Sequence, residues 1–316
     1  MATASAATNT GISFGGILVN SNFPDLTDAR FKEITDRAWK IPVEGLEMFD
    51  VVQSDREYEK FSSVTGLGLV AENDDEDDLP VEEIIQGFDH TITPKTYRKT
   101  TRVTRKMRED DMYGKIDKQQ KYIANSVMYT AEYYAALPWN TGFTNAAAWT
   151  CSDGMYLFDS ARPTPDQRVA TWSNLETGAL TNATFSTMRV NFQKITQEKG
   201  LVAPQTMGKL VVPVDLEQKA REILGSADKP ETALNDTNWN KGAVDIKVWH
   251  YLTSTTAWFG VAKEKDLNEV RWVWRIRPTH SSYREGSNDD VFIQKVRMRF
   301  ASGAGVPYAH RGSTGS

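Results

Sequence analysis

The sequence of 316 residues predicts an α+β fold, and three features carry that reading. Between 108 and 136, Met112, Ile116, Ile123, Val127, Ala131 and Tyr134 recur at spacings of three, four and seven, the mark of a long amphipathic helix. In the C-terminal third, Trp272, Trp274 and Ile276 alternate with Arg271, Arg275 and Arg277, and Phe292, Val296, Met298 and Phe300 oppose Lys295, Arg297 and Arg299. A period of two with one wet face marks antiparallel strands. Between these regions the apolar run Leu210-Val211-Val212-Pro213 sits between two helix patterns, which makes a compact mixed unit.

Composition bounds the function. Lys plus Arg number 37 against 42 Asp plus Glu, a net charge of −5, and 40% hydrophobic with 25% charged residues is a soluble globular balance. Nine Trp, 11 Tyr and 13 Phe exclude wholesale disorder. The mildly acidic sum argues against a dedicated basic nucleic-acid binder. Cys151 is the single cysteine, so neither an intramolecular disulfide nor a cysteine zinc site can form, and a reducing, cytosolic place of synthesis fits. Its setting, Trp149-Thr150-Cys151-Ser152-Asp153-Gly154, matches no nucleophile signature, so a small packed side chain is expected. Residues 1–29 hold no Lys or Arg, which excludes a secretory signal pattern, and no apolar run approaches the ~18 residues of a membrane span.

Along the chain, residues 1–10 are small and polar and read as an arm. Thr27-Asp28-Ala29-Arg30 caps a helical spacing of Phe31, Ile34 and Ala38, which Pro42 stops. Two extended segments, 64–70 and 84–88, flank Glu72, Asn73, Asp74, Asp75, Glu76, Asp77 and Asp78, six acids in seven residues. A long hairpin with a charged tip is the economical reading. An isolated two-stranded ribbon is marginally stable, so a neighbouring subunit is a candidate support. Residues 95–108 then hold seven basic residues and no acid: Lys95, Arg98, Lys99, Arg102, Arg105, Lys106 and Arg108. Interleaved threonines favour a strand. It reads either as a nucleic-acid stripe or as a partner for acidic surfaces, and the second is favoured because only Tyr97 stands near as an aromatic.

Glu109-Asp110-Asp111 suits the positive end of the long helix, and Leu137-Pro138 is expected to end it after about 28 residues, about 42 Å. So long a helix lies along a sheet or a subunit surface, with Tyr122, Tyr129 and Tyr133 as a second stripe of core or interface. A looped region fills 139–182. Thr181 opens a helix through Met188, Phe192 and Ile195 that is expected to end at Gly200. Asp215 begins another through Leu216, Ala220, Ile223 and Leu224, closed by Gly225, and after a polar loop at 226–243 the segment Ile246-Lys247-Val248-Trp249 returns to strand. No internal repeat is present.

Catalytic chemistry finds no support. His90, His250, His280 and His310 lack metal-type companions at helical spacing. Gly66-Leu67-Gly68 lacks the third glycine and following helix of a dinucleotide fingerprint. The acidic run at 72–78 lacks the turn glycine and terminal Glu of a calcium loop. No catalytic residue, cofactor or metal is therefore assigned, and no enzyme activity is expected.

The order of parts carries more. A polar arm, a charged-tip hairpin, a basic strand, one very long helix, a compact α+β unit and a returning β-ribbon follow one another from about 40 to 310. Within that order, Ala131-Glu132-Tyr133-Tyr134-Ala135-Ala136 leads to Asn140-Thr141-Gly142-Phe143, then to Asp153-Gly154-Met155-Tyr156-Leu157-Phe158, Asn174-Leu175, Leu180-Thr181 and Leu210-Val211-Val212-Pro213. The chain so described resembles the major capsid protein of tailed bacteriophages, whose fold is shared with encapsulins and the herpesvirus capsid floor. It departs at Arg162-Pro163, where that family leads one to expect His-Pro.

The resemblance implies an N-terminal arm at 1–35 and an extended E-loop at 54–94. It implies a peripheral domain from 36–53, 95–140 and 265–316 with a spine helix at 108–136, and an axial domain with connecting loops at 141–264. It implies self-assembly into pentamers and hexamers of an icosahedral head around double-stranded DNA, made in the host bacterial cytoplasm, with a portal and possible decoration or cement protein as partners and no membrane. An arm of 30 residues is shorter than a built-in scaffolding segment, so a separate scaffolding protein is implied. Ring contacts need two complementary patches on one chain. Glu72, Asp74, Asp75, Glu76, Asp77 and Asp78 against Lys95, Arg98, Lys99, Arg102 and Arg105 supply opposite signs. An encapsulin-like compartment shell is the alternative within the fold, although 1–25 has no periodic helix for cargo docking, and a nucleic-acid-binding protein using 95–108 is the alternative outside it.

Overall fold

The computed structural model describes residues 43–316 with 33, 36, 37 and 39, apart from 71, 73–80, 105, 108, 109, 111–113, 145–148, 167–169, 197, 198, 231–235, 265, 266, 286 and 287. The expected arm and most of the helix expected at 31–41 lie outside the described residues. In chain order the strands are β1 (Asp50–Gln53), β2 (Glu59–Val64), β3 (Gln86–Ile92), β4 (Lys95–Thr104), β5 (Leu175–Glu176), β6 (Met207–Val212), β7 (Asp245–Val248), β8 (Trp258–Ala262), β9 (Val270–Glu285), β10 (Asn288–Ala304) and β11 (His310–Ser313). The helices are α1 (Lys115–Asn140), α2 (Asn182–Gln193) and α3 (Glu217–Gly225), with a 3-10 turn at Glu44–Met48.

Two sheets organise these elements. The first, of order β1-β9-β10-β4, carries α1 along one face; the second, of order β5-β11-β8-β6-β7, carries α2 and α3; β2 and β3 form a separate ribbon. The alternation read at 271–277 and 292–300 places Trp272, Trp274, Val296, Met298 and Phe300 at 5% exposure or less. Phe300 stacks on Trp272 at 4.4 Å and on Tyr97 at 4.5 Å, and Tyr97 reaches Tyr134 of α1 at 4.9 Å. Helix and sheet are therefore welded by aromatic packing, each ring contact adding about 1 kcal/mol beyond its buried area. A second core gathers Phe185, Met188 and Phe192 of α2, Ala220, Ile223 and Leu224 of α3, and Leu210 and Trp258 from the sheet.

Four expectations are corrected. α1 does not begin at 108 but at Lys115, after Gly114 with φ at +63°, which leaves Asp110 in a turn outside it, and it does not end before Pro138 but runs through it to Asn140. Proline removes one helical donor, but the last turn is held from outside: Trp139 packs on Phe49 and Trp249, and the Asn140 side chain bonds the backbone of Tyr251 and Thr253. α2 opens at Thr181 with a capping box shared with Thr184, as its sequence suggests, but closes at Gln193 rather than Gly200. There Ala203 N–H takes the carbonyl of Ile195 and Gln205 N–H that of Phe192, so backbone partners from a returning segment replace the next helical turn. Strand β2 ends at Val64, where the glycine-punctuated 64–70 segment begins, because Thr65 and Ile85 bond each other through backbone and hydroxyl and close the ladder. Finally, 265–316 does not stay with one sheet: β9 and β10 join β4, whereas β11 inserts between β5 and β8 in the other. His310 and Gly312 there are buried by Trp139 and Phe158, packing that no local pattern signals.

Candidate assembly surfaces

The ribbon of β2 and β3 is rooted firmly and ends bare. At its root, Lys60 binds Asp89 at 2.6 Å, and the lysine's hydrogen bond holds the Asp89 carboxyl down at about 2. The Arg271 guanidinium sits 4.0 Å over the Phe61 ring, and Phe88 packs on the cluster of Trp172, Ile195, Val306 and Tyr308. A Cβ at Gly87 would displace the Ser63 hydroxyl, which donates to Phe88 O at 3.2 Å. Farther out, Glu82 accepts the Gly68 N–H at 2.7 Å and pairs with Lys199 at 3.1 Å, which lowers its pKa. Beyond this point the apolar residues face solvent: Leu69 is 83% exposed, Val70 98% and Val81 94%. Exposed apolar groups clustered this way mark an interaction site. Glu72 is exposed beside them, while Asp74, Asp75, Glu76, Asp77 and Asp78 lie outside the described residues.

The basic tract forms β4, as its threonines suggest, but it is not one surface. Successive side chains point to opposite faces, so Lys95 and Lys99 share the α1 side with Tyr97, whereas Arg98 and Arg102 lie on the other. Arg105 lies outside the described residues. The register sets Arg98 directly opposite Arg297, Thr100 opposite Lys295 and Thr96 opposite Arg299. Like charges facing each other across a ladder are destabilising, and β4 is also the edge strand of its sheet. The result is an outer face with Arg98, Arg102, Lys295, Arg297 and Arg299 gathered from two strands. The sequence counted the cations of β4; the contribution of β10 became visible only with the register. The acidic and basic tracts are not brought together within the described residues of one chain.

A third feature went unread. Arg162, the departure from the expected His, is fully buried. Its Nη1 donates to Asp153 Oδ2 at 2.7 Å, its Nε to Asn174 Oδ1 at 3.3 Å, and its Nη2 to the carbonyl of Tyr156, to Leu157 O at 3.4 Å and to Cys151 Sγ at 3.3 Å. Its guanidinium lies 5.5 Å from the Trp172 ring centre. Asn174 continues the network to Leu157 O at 2.7 Å and His310 O at 3.0 Å. The words at 153–158 and 174–175, separate in sequence, are thus one structure: Arg162 Nη2 and Asn174 Nδ2 serve the Tyr156 and Leu157 carbonyls of a looped segment that has little regular secondary structure to satisfy them.

Cys151 belongs to that lock and not to chemistry. Burial pushes its thiol up to about 12, against the opposing pull of Arg162. Native protein is therefore expected to resist alkylation at pH 8 while unfolded protein takes up one equivalent of iodoacetamide per chain; a fast-reacting native thiol overturns this. Among the described residues no group of three or more His, Cys, Asp and Glu is placed to hold a metal, and no helix is long and apolar enough to cross a membrane.

Comparison with known proteins gives the family. The sequence model of a family described as phage capsid protein matches residues 89–313. No curated protein matches the chain. Among solved structures, that of Microbacterium phage Oxtober96 is similar with a TM-score of 0.53 at 10% identity over 85% of each chain. The capsid of Cyanophage P-SCSP1u aligns at 0.54 and 10% identity, over 84% of this chain and 86% of that one. The capsid of bacteriophage JBD30 decorated with minor capsid protein trimers aligns at 0.52 and 14% identity, over 67% of this chain and 91% of that one.

Proposed function

The chain belongs to the phage capsid protein family, and from that premise we propose how it serves as a structural tile of the viral head. As a capsid protein it is a component of the virion, and its role is structural. In the proposed arrangement 54–94 is the E-loop, α1 the spine of a peripheral domain, and the second sheet with α2 and α3 the core of an axial domain. Copies gather into pentamers and hexamers around double-stranded DNA in the host cytoplasm, with a portal, a separate scaffolding protein and a decoration protein as partners. The decorated capsid of bacteriophage JBD30 motivates the last of these.

The observation that carries the reading is the bare outer half of the hairpin. Leu69, Val70 and Val81 have nothing to bury against among the described residues of their own chain, and a two-stranded ribbon does not stand alone. A neighbouring copy supplies the missing surface. The acidic tract at 72–78 then meets the basic strand of Lys95, Arg98, Lys99, Arg102 and Arg105 of that neighbour, chiefly through the outer face that Arg98 and Arg102 share with Lys295, Arg297 and Arg299. Single exposed ion pairs contribute only ~0–1 kcal/mol, so the charges set register while the apolar tip supplies affinity. Reversal of Lys95, Arg98 and Arg102 to Glu is expected to cut particle yield at least tenfold at low salt, read by sedimentation and electron microscopy. Unchanged yield at every salt concentration counts against the charge pairing.

A further inference from the structure

Trp239 is 90% exposed, yet both of its neighbours, Asn238 and Asn240, are buried at 5% and 3%. The Asn238 side chain donates to Ile223 O at 2.7 Å and Ser226 O at 3.1 Å, at the end of α3. Asn240 Nδ2 donates to Ser186 Oγ at 2.8 Å, and its Oδ1 accepts from Arg189 Nη1 at 2.8 Å, both on α2. Gly242, with φ at +63°, donates to Leu224 O at 2.8 Å. The loop is nailed to two helices on both sides of the tryptophan, so the backbone that carries the indole is fixed and presents it to solvent. A large apolar side chain held rigidly in water is preorganised for a partner, and tryptophan is enriched where a few residues dominate binding.

The matching surface lies on the same fold. A groove of about 640 Å³ runs along α3, lined by Val214, Glu217, Gln218, Arg221, Glu222 and Ser226. Val214 is 52% exposed there. Arg221 is held by Glu217 at 2.7 Å and Gln218 by Glu222 at 2.8 Å, so the guanidinium is set for an indole face. The lining carries two carboxylates against one guanidinium, while the loop beside Trp239 offers Lys241. Knob and groove carry opposite charges, and among the described residues Trp239 and Val214 are left exposed.

We propose that Trp239 of one copy seats in the α3 groove of the next, a head-to-tail contact that propagates around a closed ring. This rests on the shell-forming role above and adds the anchor of its ring contact. The test co-expresses Lys241→Cys and Gln218→Cys chains, isolates shells and oxidises them. Disulfide-linked dimers are expected in the mixture and in neither variant alone, because the native Cys151 is buried. In parallel, Trp239→Ala is expected to lower shell yield at least tenfold without changing the thermal midpoint of the unassembled subunit, and Trp239→Phe to restore part of it. Shells without dimers, or full yield from Trp239→Ala, overturn the anchor and leave the capsid role standing. Failure of the unaltered chain to form shells even when co-expressed with its scaffolding protein overturns the proposed self-assembly itself.

Discussion

Arg162→Met is expected to destabilise the subunit by about 3–5 kcal/mol, the range for breaking a buried ion pair by removing one partner. The substitution keeps much of the side-chain volume but strands the Asp153 carboxylate, which has no exposure of its own. It also frees the carbonyl of Tyr156, leaves that of Leu157 to Asn174 alone, and removes the donor that orients the Asn174 side chain. Against a typical domain stability of ~5–15 kcal/mol, that loss is a large fraction. Urea unfolding of the unassembled subunit measures it. The companion experiment is the double variant Arg162→Met with Asp153→Leu, which is expected to recover part of the loss because no charge remains buried alone. A double variant no better than the sum of its singles would show that the pair is not the origin of the effect.

Acid should unfold the subunit ahead of its carboxylates, through His310. Its side chain has no exposure, its Nε2 donates to Asn268 Oδ1 at 3.0 Å, and the Trp139 ring lies 5.6 Å away. Complete burial lowers its pKa from 6.5 to about 3. Above pH 6.5 the imidazole is neutral both folded and unfolded and contributes no pH dependence. Between 6.5 and 3 the unfolded chain binds a proton that the folded chain refuses, so stability falls as pH falls. The slope approaches ~1.4 kcal/mol per pH unit, on the order of 5 kcal/mol in all. His90, depressed by burial and then by Arg271, acts in the same direction. Asp89, held at about 2, adds its own loss only below its ordinary value of 3.8. Urea midpoints from pH 7 to 4 should therefore drop steeply in the native sequence and more shallowly in His310→Gln. Parallel curves for the two proteins would remove His310 from the account.

Legibility in the sequence followed the range of the forces involved. The long helix was readable because its apolar positions repeat every three to four residues and the sheet it meets is itself apolar. Its end was misread at Pro138, since the compensating contacts come from Phe49, Trp249, Tyr251 and Thr253, remote along the chain. The helix start at Thr181 was local and was legible; the stop at Gln193 depended on backbone donors of Ala203 and Gln205 and was not. The basic tract was visible as seven cations, but strand alternation divides it between two faces, and the register with β10 rebuilds one of those faces from residues nearly two hundred positions away. Arg162 stood out only as a mismatch. Its role required Asp153 and Asn174 to be brought to it by the fold.

What the residues determine on their own is therefore the inventory: an α+β class, the order of parts that resembles a phage capsid protein, and opposite charges in separate tracts. Periodicity and local charge suffice for these, because they act over a turn or a strand. Tertiary structure alone decided that β11 leaves the first sheet for the second, that Arg98 faces Arg297, and that Trp239 is held out in water by two buried asparagines. Each of those depends on groups far apart in sequence arriving at hydrogen-bond or van der Waals distance, and no one-dimensional pattern encodes that arrival.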